Sequence, residues 1–165
     1  MKFTHLRHKP PTALERKREI VLALPPMRSN INVARIVRAA GVCGIDRVIA
    51  CGAPKLDRKI ARDGADQVTI QTPRTLLPVL KKLKQEGFHL VGLEQATNSQ
   101  SLYEYQFERQ TVLVIGHERD GITQEVLDVL DSVVEIPVYG LPFSHNAATS
   151  ACIAMYEYCR QFPVG

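Results

Sequence analysis

Three stretches of this sequence gather residue types that bind or transform ligands. Pro25-Pro26-Met27-Arg28-Ser29-Asn30-Ile31-Asn32 leads into a segment carrying Arg35 and Arg38. Gly116-His117-Glu118-Arg119-Asp120-Gly121 sets an acid and a histidine between two glycines. Pro137-Val138-Tyr139-Gly140-Leu141-Pro142-Phe143 runs into Ser144-His145-Asn146. Together they offer amides and hydroxyls for hydrogen bonding, fixed charge, and glycine loops that leave backbone groups free. No GxGxxG follows the first apolar run and no GxxxxGK[ST] occurs, which excludes an ordinary dinucleotide site or P-loop. Ser144 beside His145 lacks a GxSxG setting, and adjacent side chains diverge, so a serine hydrolase is excluded as well. Ordinary structural duty also accounts for each residue taken singly. Asn32 suits a helix cap, Arg35 and Arg38 a solvated face, and Gly116 and Gly121 turns. Glu118 suits a first-turn acid, and Ser144 and Asn146 the cap of a last helix. At this level both readings stand.

Short apolar runs must position these stretches. They fall at Ile20–Leu24, 48–51, 68–70, His89–Leu93, 112–115 and 133–136, rich in Val, Ile and Leu and without alternation. Strands buried on both faces of a parallel sheet read this way. Helical stretches separate several of them. The first covers residues 30–40 with Ser29 or Asn30 as cap, and the second covers 75–86, starting near Pro78 and stopping at Gly87. A third starts at Thr123, and the last covers 147–161. The expected fold is α/β, a mostly parallel six-stranded sheet flanked by helices. In open sheets of this kind ligands bind beyond the carboxyl ends of strands, where all three stretches lie. The last helix is apolar nearly all round, from Ala147 to Tyr156, so a homodimer through this C-terminal helix is expected.

The 165 residues suit one domain, expected at 19–165 behind a basic arm at 1–18. Residues 1–62 hold 14 Lys+Arg against 4 Asp+Glu, whereas residues 63–165 hold 7 against 13. A basic half of that size suits a polyanion, above all nucleic acid, with a solvated face as the plain alternative. The arm concentrates Lys2, Arg7, Lys9, Arg16, Lys17 and Arg18 against Glu15 alone. Cys43, Cys51, Cys152 and Cys159 form no CxxC and sit in apolar stretches, as reduced core residues do. Nothing near His5 and His8 completes a zinc site. The longest uncharged run, 136–156, contains two prolines, Ser144, His145 and Asn146, and makes a poor membrane span. No apolar run near the start is long enough for a signal-peptide core, so a cytoplasmic location is expected.

In order, Asn32-Val-Ala-Arg-Ile-Val-Arg38-Ala-Ala-Gly-Val-Cys-Gly44, Val114-Ile-Gly116-His-Glu118-Arg-Asp-Gly121-Ile and Ile136-Pro-Val-Tyr-Gly140 with Ser144-His-Asn146 and Tyr156-Glu157 form one pattern. It resembles the three signature motifs of the SpoU/TrmH family of RNA ribose 2′-O-methyltransferases, in the SPOUT superfamily, from about residue 18 to 161. The resemblance implies a C-terminal trefoil knot, which general topology rules would never suggest. It implies S-adenosyl-L-methionine as cofactor, held by Leu93, Gly116, Ile136, Leu141, Ser144 and His145. It places the active site on Asn32, Arg38, Glu118, Ser144 and Asn146. An arginine stays protonated in proteins, so Arg38 is expected to clamp phosphate and steady the developing alkoxide rather than act as base. Asn32 and Asn146 would orient the hydroxyl or Arg38, and Glu118 would hold the loops or Arg38.

Against the family pattern, Ala34-Arg35 replaces Gly-Ala, adding a cation beside the site, and Ser144-His145-Asn146-Ala147-Ala148 replaces Ser-Leu-Asn-Val-Ser. The expected substrate is structured RNA, tRNA favoured over rRNA because no separate RNA-binding domain stands within these residues. Arg7, Lys9, Arg16, Lys17, Arg18 and Arg35 are the expected RNA contacts. A non-catalytic RNA-binding protein that kept the fold is the alternative.

Overall fold

The computed structural model describes residues 1–7 and 9–165. Strand β1 (Ile20–Leu24) is apolar and buried at all five positions, and it lies inside the sheet. Helix α1 (Asn30–Val42) follows, then β2 (Arg47–Ala50), two four-residue helices α2 (Arg58–Ala61) and α3 (Gly64–Gln67), and β3 (Thr69–Gln71). Next come α4 (Leu77–Gln85), β4 (His89–Leu93), β5 (Gln100–Ser101), β6 (Thr111–Ile115), α5 (Gln124–Leu127), β7 (Ser132–Glu135) and α6 (Ala147–Gln161). All strand pairings are parallel, in the order β3-β2-β1-β6-β4-β7-β5.

Among the described residues the sheet therefore has seven strands, not the six expected. The extra one, β5, is two polar residues long and carries no hydrophobic signal. It pairs with β7 through Gln100 opposite Val134 and Ser101 opposite Glu135. Strand β7 thus lies between β4 and β5, two strands that precede it in the chain. Helices α2 and α3 were also unforeseen, since four residues complete barely one turn and show no period. Asp57 caps the first of them through Lys59 and Ile60 N–H.

Alternation in β1 divides the core. Ile20, Leu22 and Leu24 face α1 and α6, while Val21 and Ala23 face α4 and α5. Ala151 and Ala154 of α6 are buried in this chain's own core, so part of that helix's apolar surface is spent on α1 and the sheet. Tyr156 stays 53% exposed, with Cys152 half-buried one turn away. All four cysteines are free. No helix among the described residues is long and apolar enough to cross a membrane. No described group of three or more His, Cys, Asp or Glu is arranged to hold a metal ion. His8 lies outside the described residues.

Residues 9–17 form neither helix nor strand, and Glu15 and Arg16 N–H both donate to the Val164 carbonyl. Arg18 departs from the expectation of a basic arm contacting RNA. It is only 8% exposed, and its guanidinium donates to Cys43 O at 2.7 Å and to Phe162 O. Those carbonyls end α1 and α6, where helices leave acceptors unpaired and favour a cation. Arg18 is a clasp between two helix ends, withdrawn from any phosphate. Arg7, Lys9, Arg16 and Lys17 remain exposed.

Candidate active site

The carboxyl ends of β4, β6 and β7 open into a cavity of about 290 Å³. Leu93, Ile115, Ile136 and Val138 give it apolar walls, and Glu94, Glu118 and Glu135 give it carboxylates. Gly116, Ser144, His145 and Asn146 complete much of the rim. Of the expected cofactor contacts, Leu93, Gly116, Ile136, Ser144 and His145 all line it. Leu141 does not: it stands 77% exposed on the loop after β7, with its side chain in solvent.

Glu118 organises the mouth of the cavity. Its Oε1 accepts from Ser29 N–H at 3.0 Å and from Asn32 Nδ2 at 3.1 Å, and its Oε2 accepts from Arg28 N–H at 3.0 Å. Burial opposes its ionisation, but these backbone and amide donors outweigh that cost and hold the carboxyl below its usual pKa. Ser29 caps α1 by accepting from Asn32 N–H, so Asn32 sits in the first helical turn with its side chain free to reach Glu118. Asn146 joins the same network. Its Nδ2 donates to Asn32 Oδ1 at 3.2 Å, while its own Oδ1 caps α6 through Ala148 and Thr149 N–H. Glu118, Asn32 and Asn146, from three motifs, therefore form one chain of hydrogen bonds.

The loop carrying Glu118 is closed by paired backbone bonds between His117 and Gly121, at 2.9 and 3.0 Å. Gly121 has φ +66, and Glu94 is packed so close that a Cβ there would collide with its carboxylate. A Cβ on Gly116 would lie 2.8 Å from the same carboxylate. Glu94 Oε2 in turn accepts from Ile122 N–H at 2.8 Å, bracing the far end of the loop. Sequence reasoning missed Glu94 and Glu135. Both stand at the carboxyl ends of strands, and that position was the only available signal.

Arg38 is elsewhere. It lines a separate groove with Arg35, Lys59 and Arg62, beside Val42, Ile60, Cys152 and Tyr156. No hydrogen bond joins it to Glu118 or to either asparagine. The expectation that Glu118 holds Arg38 is replaced by Glu118 holding the α1 start. Ser144 is exposed at the cavity rim, and the α6 cap is Asn146 alone.

Known proteins resemble this chain in sequence and in fold. Residues 19–156 match the model of the SpoU rRNA Methylase family. The chain is 28% identical over 149 residues to the tRNA (guanosine(18)-2′-O)-methyltransferase of Escherichia coli strain K12, covering 88% of this chain and 65% of that enzyme. It thus spans somewhat less than two thirds of that relative's length. The A. aeolicus TrmH/SpoU tRNA modifying enzyme superposes with a TM-score of 0.85 at 24% identity, over 91% of this chain and 78% of the other. That likeness shows the fold. The SpoU methyltransferase AviRb from Streptomyces viridochromogenes, in complex with the cofactor AdoMet, gives a TM-score of 0.75 at 25% identity, over 91% and 63% of the two chains.

Proposed function

Since the chain belongs to the SpoU rRNA Methylase family, we propose that it is an S-adenosylmethionine-dependent methyltransferase acting on a ribose 2′-hydroxyl of structured RNA, with tRNA favoured. The observation that carries this reading is the Glu118–Asn32–Asn146 network at the mouth of the cavity.

The cavity fits the cofactor. Its apolar walls suit an adenine, and its three carboxylates suit a ligand bearing sulfonium and ammonium charge. Gly116 leaves a cradle that a side chain would fill. Leu93, Gly116, Ile136, Ser144 and His145 would hold the cofactor, with Glu94 and Glu135 added. When bound, it supplies an electrophilic methyl group.

The chain's own residues position the acceptor. Asn32 and Asn146 are fixed by their mutual bond, by Glu118 and by the α6 cap, so their remaining amide capacity is aimed rather than mobile. They orient the hydroxyl that enters the mouth. Water or a phosphate oxygen takes its proton. Arg38, grouped with Arg35, Lys59 and Arg62, acts as a phosphate clamp outside the cavity. Arg7, Lys9, Arg16 and Lys17 add phosphate contacts from the arm.

Two structural features belong to the same reading. Placement of β7 between β4 and β5 is what a threaded, knotted C-terminus needs. The exposed ring of Tyr156, beside Cys152 and Val42, supports a homodimer through α6. Sedimentation of Tyr156→Asp should give monomers, and an unchanged dimer would remove that contact.

Calorimetry with S-adenosylmethionine, paired with transfer of labelled methyl groups into purified tRNA and rRNA, tests the function. Cofactor binding with 2′-O-methylated tRNA is expected. RNA binding without either would leave a non-catalytic binding protein.

A further inference from the structure

The loop between β7 and α6 presents Tyr139 at 90%, Leu141 at 77% and Phe143 at 78% exposure, with Gly140 and Pro142 between them. Three large apolar side chains standing in water on one short loop are costly unless something covers them. Tyr139 and Phe143 offer ring faces, and among the described residues no aromatic ring stacks on either: the ring pairs lie among Tyr105, Phe107, Tyr158 and Phe162. The loop is continuous with the candidate active site, because Val138 and Ser144, its immediate neighbours on either side, both line the cavity. Arg119 lines the same cavity and is exposed, and Arg28, whose N–H holds Glu118, is exposed beside it. Exposed rings on a loop that runs out of the cavity rim, with the exposed Arg119 on the same rim, match unpaired nucleotides, whose bases stack and whose phosphates carry charge.

We propose that residues 139–143 form a stacking platform for unpaired nucleobases next to the ribose that enters the site, a role that rests on the RNA methyltransferase reading above. RNA recognition outside a regular helix uses unpaired nucleotides whose bases are splayed out of the stack, and a base that has left its stack gains by stacking on an aromatic side chain instead. Tyr139 and Phe143 supply that stacking from the protein side. Because every base has a π-face, the platform tolerates sequence and favours purines, which have more area to stack.

The test is binding of short oligoadenylate and oligouridylate, and methyl transfer into tRNA, by the wild type and by Tyr139→Ala, Phe143→Ala and Tyr139→Phe. Both positions are in solvent, so the variants keep the fold. Each alanine change should weaken oligoadenylate by about tenfold and oligouridylate by less, with Tyr139→Phe close to the wild type. Cofactor affinity and the dependence of RNA binding on salt should stay as they are. A loss in either alanine variant supports the platform. Equal affinities throughout, in a wild type that binds both RNA and cofactor, would overturn the platform and leave the methyltransferase reading standing. A wild type that binds no RNA would overturn both. Alanine variants that change the oligomeric state in sedimentation, with RNA affinity intact, would assign the loop to a second copy of the chain instead.

Discussion

The amide of Asn146 donates to the amide oxygen of Asn32 at 3.2 Å, joining the start of the last helix to the first turn of α1. Asn32 has its other amide edge on Glu118, at 3.1 Å, and is itself buried. It is therefore a donor to one neighbour and an acceptor from the other, a role that an ionised carboxylate in its place cannot fill. Asn32→Asp turns the donor into a second carboxylate against Glu118. The change should cost about 2–4 kcal/mol and reduce methyl transfer by about a hundredfold or more. Its pH signature separates it from a simple cavity: as pH falls into the carboxylate range, one shared proton restores the bond, and the stability gap to wild type should narrow. Urea unfolding at several pH values reads this, and a constant gap would contradict it.

Glu118 gives the network an acid limit. Burial works against its charge, yet the Arg28, Ser29 and Asn32 donors keep its folded pKa below the ordinary value of 4.5. The unfolded chain consequently takes up the proton first as pH drops. The stability Glu118 contributes is whole above about pH 4.5 and is lost as pH falls through the lower, folded value. Glu118→Gln should lower the urea midpoint at neutral pH and flatten its decline below that point. Parallel declines in variant and wild type would show that other carboxylates set the limit.

Arg18 and the arm separate cleanly. Removing a buried guanidinium that serves two helix-end carbonyls should destabilise Arg18→Ala by about 2–4 kcal/mol, with the salt dependence of RNA binding unchanged. Deleting residues 1–14 should do the reverse, flattening the salt dependence and leaving both the unfolding midpoint and the methylated nucleotide in place. Identical salt slopes for full and truncated chains would make the arm a solvated tail.

Arg38→Ala should abolish methylation while S-adenosylmethionine affinity by calorimetry stays within about twofold, because Arg38 lies in the groove with Arg35, Lys59 and Arg62 and not in the cavity. The slope of log affinity against log salt should fall by roughly 0.7–0.9 for the one phosphate lost. Weakened cofactor binding would move Arg38 back into the cavity.

Which of these features could be foreseen depended on where their partners lie. Strands β1 and β4 stand at Ile20–Leu24 and His89–Leu93 as expected, since five-residue apolar runs have few other fates. Strand β6 starts one residue early at Thr111, a polar residue buried because its hydroxyl bonds to Glu108 O at 2.7 Å. Strand β5 was invisible, being held only by main-chain pairing to β7. Asn146 shows why cap and functional residue could not be told apart in the sequence: its oxygen does one job and its nitrogen the other. Arg18 looked like its basic neighbours because its acceptors are 25 and 144 residues away. Shared motif membership suggests Arg38 beside Glu118, but six residues along α1 turn it well away from Asn32.

Strand β7 lies between two strands, β4 and β5, that both come before it in the chain. Glu135, Ile136, Val138 and the Ser144–Asn146 rim reach the cavity only once that strand is in place. Strands β1, β2, β4 and β6 by themselves make most of the sheet but leave the cavity without its β7 wall. The cavity is therefore complete only when the last strand of the sheet is paired, so whatever fills it stabilises the fully paired fold and no partial one.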